Sequence, residues 1–227
     1  MKHSVPQAGA LRVYCGLLVM ALAGCQTAYY ATMEKLGYHK RDILVSRVEE
    51  ARTSQAEAKA QFESALDRFR RVVQVPSSAL EATYTQLKAE FDKSEAAAHA
   101  VQTRIAAVEE VAEALFTEWA AELPQYTNDT LRRASARQLA QTRQRYTPLI
   151  GAMKRAATTM TPVLAAFRDQ VLFLKHNLNA QAIAAVQREL VTVEADIAAL
   201  IHAMEASITE ADTFLKATHA DEGARRP

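Results

Sequence analysis

Two carboxylate–imidazole pairs are spaced so that they can share a ligand: Glu95 and His99 stand four apart, and His202 and Glu205 three apart. On a helix either spacing puts both side chains on one face, where they can hold a transition metal, although such a pair is more often a surface hydrogen bond. Neither pair is completed by a second motif. A di-metal carboxylate bundle needs Glu-x-x-His on two helices, and that motif is absent. Also absent are a Gly-x-x-x-x-Gly-Lys phosphate loop, a Gly-x-Ser-x-Gly elbow and a His-Glu-x-x-His zinc motif. The expectation is therefore no enzyme, no catalytic residue, no metal and no cofactor. The remaining chemistry belongs to a thiol, because the chain has two cysteines, Cys15 and Cys25.

Residues 1–12 carry Lys2 and Arg12 with no acid, and residues 13–23 are apolar or small, which is the layout of a secretory signal. A bilayer-spanning helix needs about 20 apolar residues, and this run stops after about a dozen, so cleavage is expected. Leu22-Ala23-Gly24-Cys25 then resembles the lipobox of bacterial lipoproteins. That likeness implies removal of residues 1–24, diacylglycerol on the Cys25 thiol and a third, palmitate-class acyl chain on its amine. With Gln26 next, the lipoprotein sorting rule implies export to the periplasmic face of the outer membrane. Such an anchor holds a protein on the membrane stably.

With Cys15 removed and Cys25 acylated, the mature chain of 203 residues has no free thiol and forms no internal disulfide. It must fold by packing alone, and it is long enough for a substantial core. Its 25 basic and 26 acidic residues leave a charge of minus 1, so no general attraction to nucleic acid follows. Residues 25–40 read as an acylated tether. Gly37 interrupts helix there, and Tyr29, Tyr30 and Tyr38 are suited to the headgroup region or to packing on the base of the domain.

From residue 41 to 219 apolar residues recur at steps of four and three, the seam of helices packed along their length. The first seam runs Leu44, Val48, Ala51, Gln55, Ala58, Phe62, Ala65, Phe69, Val72, and Pro76 ends that helix. Ser78 with Glu81 forms a capping-box signature for the second, whose seam runs from Leu80 to Trp119. Leu123-Pro124 closes it, and Asn128 or Asp129 caps a third helix, along which Pro148 and Pro162 predict kinks or a break. Residues 176–179 form a turn, a fourth seam runs from Ile183 to Phe214, and residues 220–227 form a flexible tail. The fold class is all-α: an elongated four-helix bundle, or paired long helical hairpins, with coiled-coil-like packing. Heptads are satisfied equally by self-association, so a dimer of hairpins is an open alternative to a monomer.

Charge is divided by helix. Residues 130–168 hold eight bases and no acid, whereas the second and fourth helices carry net charges of minus 6 and minus 4. A basic helix between acidic ones fixes neighbour choice. The same side chains, Arg132, Arg133, Arg137, Arg143, Arg145, Lys154 and Arg155, are the candidates for contact with an anion or a partner.

The run from Tyr29 through Glu34-Lys35-Leu36-Gly37-Tyr38 to Arg47-Val48-Glu49-Glu50-Ala51-Arg52, followed by residues 55–62, resembles domain-of-unknown-function family 2959 of Gram-negative bacteria. The resemblance covers nearly all of the mature chain and implies an exported helical protein with a lipoprotein signal. It carries over no activity and no catalytic residue. Two functions are thus expected. The first is a non-enzymatic, lipid-anchored structural, adaptor or assembly module with a protein partner or self-association through its helices. The alternative is a binding module for an anionic or lipidic ligand, using the basic, proline-interrupted third helix.

Overall fold

The computed structural model describes residues 39–72, 80–177 and 180–223. They form four helices: α1 (Lys40–Val72), α2 (Leu80–Glu122), α3 (Asp129–His176) and α4 (Ala180–Gly223). A single 3-10 turn, Leu123–Gln125, lies between α2 and α3, and no strand occurs among the described residues. The lipobox-like run Leu22-Ala23-Gly24-Cys25, Tyr29, Tyr30 and Tyr38, Pro76, Ser78, residues 178–179 and the last four residues lie outside the described ones.

Internal contacts divide the chain into two units, residues 1–43 and 44–227. In the first, the described residues are the opening turn of α1. There the His39 carbonyl accepts from the backbone N–H of Asp42 and Ile43 at 2.9 and 3.1 Å, while the Asp42 carboxylate reaches back to the His39 N–H at 3.4 Å. That return contact is one half of a capping box.

The second unit is an up-down-up-down bundle in which each helix lies beside the next and α4 closes onto α1. The pairing is antiparallel and in constant register. Arg52, Lys59 and Arg70 of α1 meet Asp212, Glu205 and Glu194 of α4, the last two pairs at 2.6 Å. Advancing seven and then eleven residues along α1 thus retreats seven and eleven along α4. Both steps are near-whole numbers of helical turns, so the three pairs share one stripe. Likewise Lys154 and Arg168 of α3, fourteen apart, meet Glu109 and Glu95 of α2, also fourteen apart. Arg104 of α2 reaches Glu50 of α1 at 2.6 Å, and Arg145 of α3 reaches Asp221 of α4 at 2.6 Å. Exposed ion pairs each add little to stability. Their repeated register instead makes a slip of one heptad costly in several places at once.

Beneath these pairs the seams are dry. Leu44, Val48, Ala51, Ala58, Phe62, Ala65 and Phe69 of α1 are all buried, as are Val101, Ile105, Val108 and Ala112 of α2. In α3 Leu149, Met153, Ala156 and Met160 are fully enclosed, and in α4 so are Val186, Ile197, Leu200 and Met204. Each large side chain withdrawn from water in this way contributes about 1.5–3 kcal/mol before conformational entropy is set against it. Phe69 and Phe167 meet across the bundle with ring centroids 6.0 Å apart.

The break expected in the third helix does not occur. α3 continues from Asp129 to His176 with Pro148 and Pro162 inside it. A proline in a helix interior costs about 3 kcal/mol, because it removes one N–H and crowds the carbonyl four residues back. Both prolines lie on the exposed side, where water can reach the released carbonyls of Gln144 and Thr158. The buried run from Leu149 to Val163 holds the backbone on course between them. The start of α3 is capped by Asn128, whose side chain accepts from the N–H groups of Thr130 and Leu131 at 2.9 and 3.1 Å.

Candidate functional site

Seven cations of α3 are the candidates that the sequence offers for contact with an anion or a partner, spread around the helix and not gathered in one stripe, and the fold splits them into two sets. Arg143, Arg145 and Lys154 are engaged across helix boundaries. The Arg143 guanidinium donates to the Phe116 carbonyl of α2 at 3.1 Å and lies 5.4 Å from the centre of the Phe116 ring. Arg145 is held by Asp221, and Lys154 by Glu109. Arg132 turns back onto Asp129, three residues earlier, at 2.7 Å. Arg133 and Arg137 are exposed and meet no carboxylate among the described residues. Arg155 is also exposed, and its guanidinium lies back along the helix, 3.3 Å from the place a Cβ on Gly151 would take.

The two carboxylate–imidazole pairs are claimed by other partners. Glu95 accepts from Arg168 at 2.7 Å, and that guanidinium lies 5.7 Å from the centre of the Phe91 ring. Glu205 accepts from Lys59 at 2.6 Å. This hydrogen bond and its charge hold the Glu205 carboxyl below the usual range and raise the Lys59 ammonium above its own. Among the described residues no cluster of three or more His, Cys, Asp or Glu is placed to share a metal ion.

Trp119 and Tyr146, seam residues in the sequence, join α2 to α3. Trp119 Nε1 donates to Ser135 Oγ at 2.8 Å, and the Tyr146 ring meets Phe116 edge-on at 5.4 Å. Burial, then the nearby charges of Glu109 and Glu113, push the Tyr146 phenol up to about 12. A groove of about 450 Å³ runs beside Pro148 between α3 and α4, lined by Gln144, Arg145, Pro148, Glu210 and Phe214 among others. It is open to solvent, unlike the closed cavity that a buried ligand requires.

Three buried polar side chains, Gln55, Ser207 and Glu90, were not singled out from the sequence. Gln55 and Ser207 stand at seam positions, and the only signal was their polarity there. Glu90 lies one position off its seam, with no distinguishing mark. Its carboxylate accepts from Gln61 at 2.9 Å and Lys93 at 3.0 Å. Burial works to raise its pKa, but the hydrogen bonds from Gln61 and Lys93, with the charges of Lys93 and Arg68, outweigh it and hold the group below the usual range.

The fold and this site define an all-α, antiparallel four-helix bundle in which Arg143, Arg145 and Lys154 serve its own helix boundaries. A family model described as "Protein of unknown function (DUF2959)" matches residues 29–218, and the chain belongs to that family. No curated protein and no solved structure matches it.

Proposed function

We propose that this protein is a lipid-anchored spacer or assembly module, held at the periplasmic face of the outer membrane by acylated Cys25, and that it acts without catalysis. The observation that carries this reading is the constant register of Arg52, Lys59 and Arg70 against Asp212, Glu205 and Glu194. Charges repeated in step along helices of 33 and 44 residues suit a part whose useful property is a fixed length. The lipobox supplies the anchor, and the Gln26 that follows it supports the outer membrane as destination. The adaptor's partner is a protein or a second copy docking along the helices. Ligand capture by α3 as a gate has less support, because Arg143, Arg145 and Lys154 are committed within the bundle.

Length is the property to test. Deleting one heptad from each of the four helices in matched register keeps the seams and shortens the bundle by about 10 Å. In a strain lacking the native gene, a spacer so shortened folds but fails to restore the phenotype. Full rescue by the shortened chain overturns the spacer reading.

A further inference from the structure

We infer that the end of the bundle carrying Tyr126, Leu131, Arg133 and Arg137 docks on the anionic phospholipid headgroups of the leaflet in which the anchor is inserted. This inference rests on the lipid-anchor reading above and adds an orientation to it.

The antiparallel pairs place the surface. Arg52 meets Asp212 and Glu50 meets Arg104, so the start of α1 lies beside the end of α4 and the second half of α2. Trp119 bonded to Ser135 brings the end of α2 to the start of α3. The bundle therefore begins, at Leu44, on the same end as the turn that contains Tyr126. Cys25 precedes Leu44 by 19 residues, so the chain that bears the proposed anchor enters the bundle at this end.

Its side chains fit a membrane interface. Leu131 is 56 % exposed and Tyr126 38 % exposed. Leu131 stands four residues before Ser135 and eight before buried Leu139, so it continues the seam beyond the last layer that has a facing helix. Arg133 and Arg137 are four apart on one face, both exposed and both without a carboxylate among the described residues. The neighbouring acid Asp129 is already held by Arg132, and α3 has no other acid before Asp169. An aromatic, an aliphatic and arginines that meet no carboxylate among the described residues together are the composition favoured where headgroups meet acyl chains. The opposite end also exposes apolar side chains, Leu172 and Phe173, but there Asp169 precedes them, Arg168 is held by Glu95 and Lys175 follows.

The mature chain has no free thiol, so a cysteine at position 131 can be labelled uniquely. Full-length lipidated Leu131→Cys and, as control, Leu172→Cys are labelled with a fluorophore. Each is reconstituted into phosphatidylethanolamine–phosphatidylglycerol vesicles containing a headgroup-proximal nitroxide lipid. Docking gives severalfold stronger quenching at 131 than at 172. The excess falls about fivefold for each arginine exchanged in the Arg133→Glu, Arg137→Glu background, with helicity unchanged, and it also falls in phosphatidylcholine vesicles. Equal quenching at the two positions overturns docking and leaves the anchor standing. An excess that survives the arginine exchange or the neutral lipid overturns headgroup recognition. Lipid-extracted wild type that fails to float with the vesicles overturns the anchor, and the docking with it.

Discussion

Gln55 of α1 and Ser207 of α4 share a 2.9 Å hydrogen bond in the middle of the bundle, with both side chains fully buried. Ser207 Oγ donates to Gln55 Oε1, while Gln55 Nε2 has no partner among the described residues. A buried donor left unpaired costs about 1–3 kcal/mol. A polar group at a seam position stabilises one register over its alternatives while lowering overall stability.

Replacing Gln55 by an apolar residue is therefore expected to strengthen the fold. Gln55→Leu removes the orphan amide, and the Ser207 hydroxyl can turn to the carbonyl four residues back. Denaturant titration should show a gain of about 1–2 kcal/mol. The same variant should show more than one association state by sedimentation, since the layer that selects the register is gone. A loss of stability would mean that the amide is paired in solution.

Gly151 sits inside α3, where alanine is the better helix former by about 1 kcal/mol. Its added Cβ would meet only the far end of the Arg155 side chain, at 3.3 Å, and that side chain is exposed and free to turn away. Gly151→Ala is expected to raise stability by about 0.5–1 kcal/mol in thermal or denaturant unfolding. A decrease would show that Arg155 is held in place over the glycine.

Acid should weaken the bundle through Glu90 and Glu205. Both have folded-state pKa values below the ordinary 4.5, so each contributes stability that is present above 4.5 and lost as pH falls through the depressed value. Glu90→Gln is expected to lower stability at neutral pH and to flatten the acid limb of a stability–pH curve. At the alkaline end the sign reverses. The Tyr146 phenol is raised from 10.0 to about 12, so the stability it contributes is present below 10.0 and is lost as pH climbs toward 12. Tyr146→Phe should remove that alkaline loss, and an unchanged curve would contradict the assignment.

Much of this fold is legible in the spacing of apolar residues. From Leu44 to Phe69 each residue of the first seam is buried, including Gln55, because a step of four and three leaves little choice of face. The prolines of α3 misled for a physical reason: a local rule gives their cost, whereas the packing of Leu149, Met153 and Met160 that offsets it is long-range. Asn128, not Asp129, is the cap, a choice made by backbone angles that composition leaves open. The cations of α3 were visible as a set. Their division was not, since whether Lys154 finds Glu109 or Arg133 finds nothing depends on the register between helices.

The proposed spacer role and the proposed docked orientation both rest on lipid anchoring, and one measurement reaches it directly. Cells producing the protein are labelled with radioactive palmitate, and their inner and outer membranes are then separated. The expected result is a labelled band in the outer-membrane fraction that disappears in Cys25→Ser and moves to the inner membrane in Gln26→Asp. An unlabelled wild-type protein, or a label that survives Cys25→Ser, would contradict the anchor.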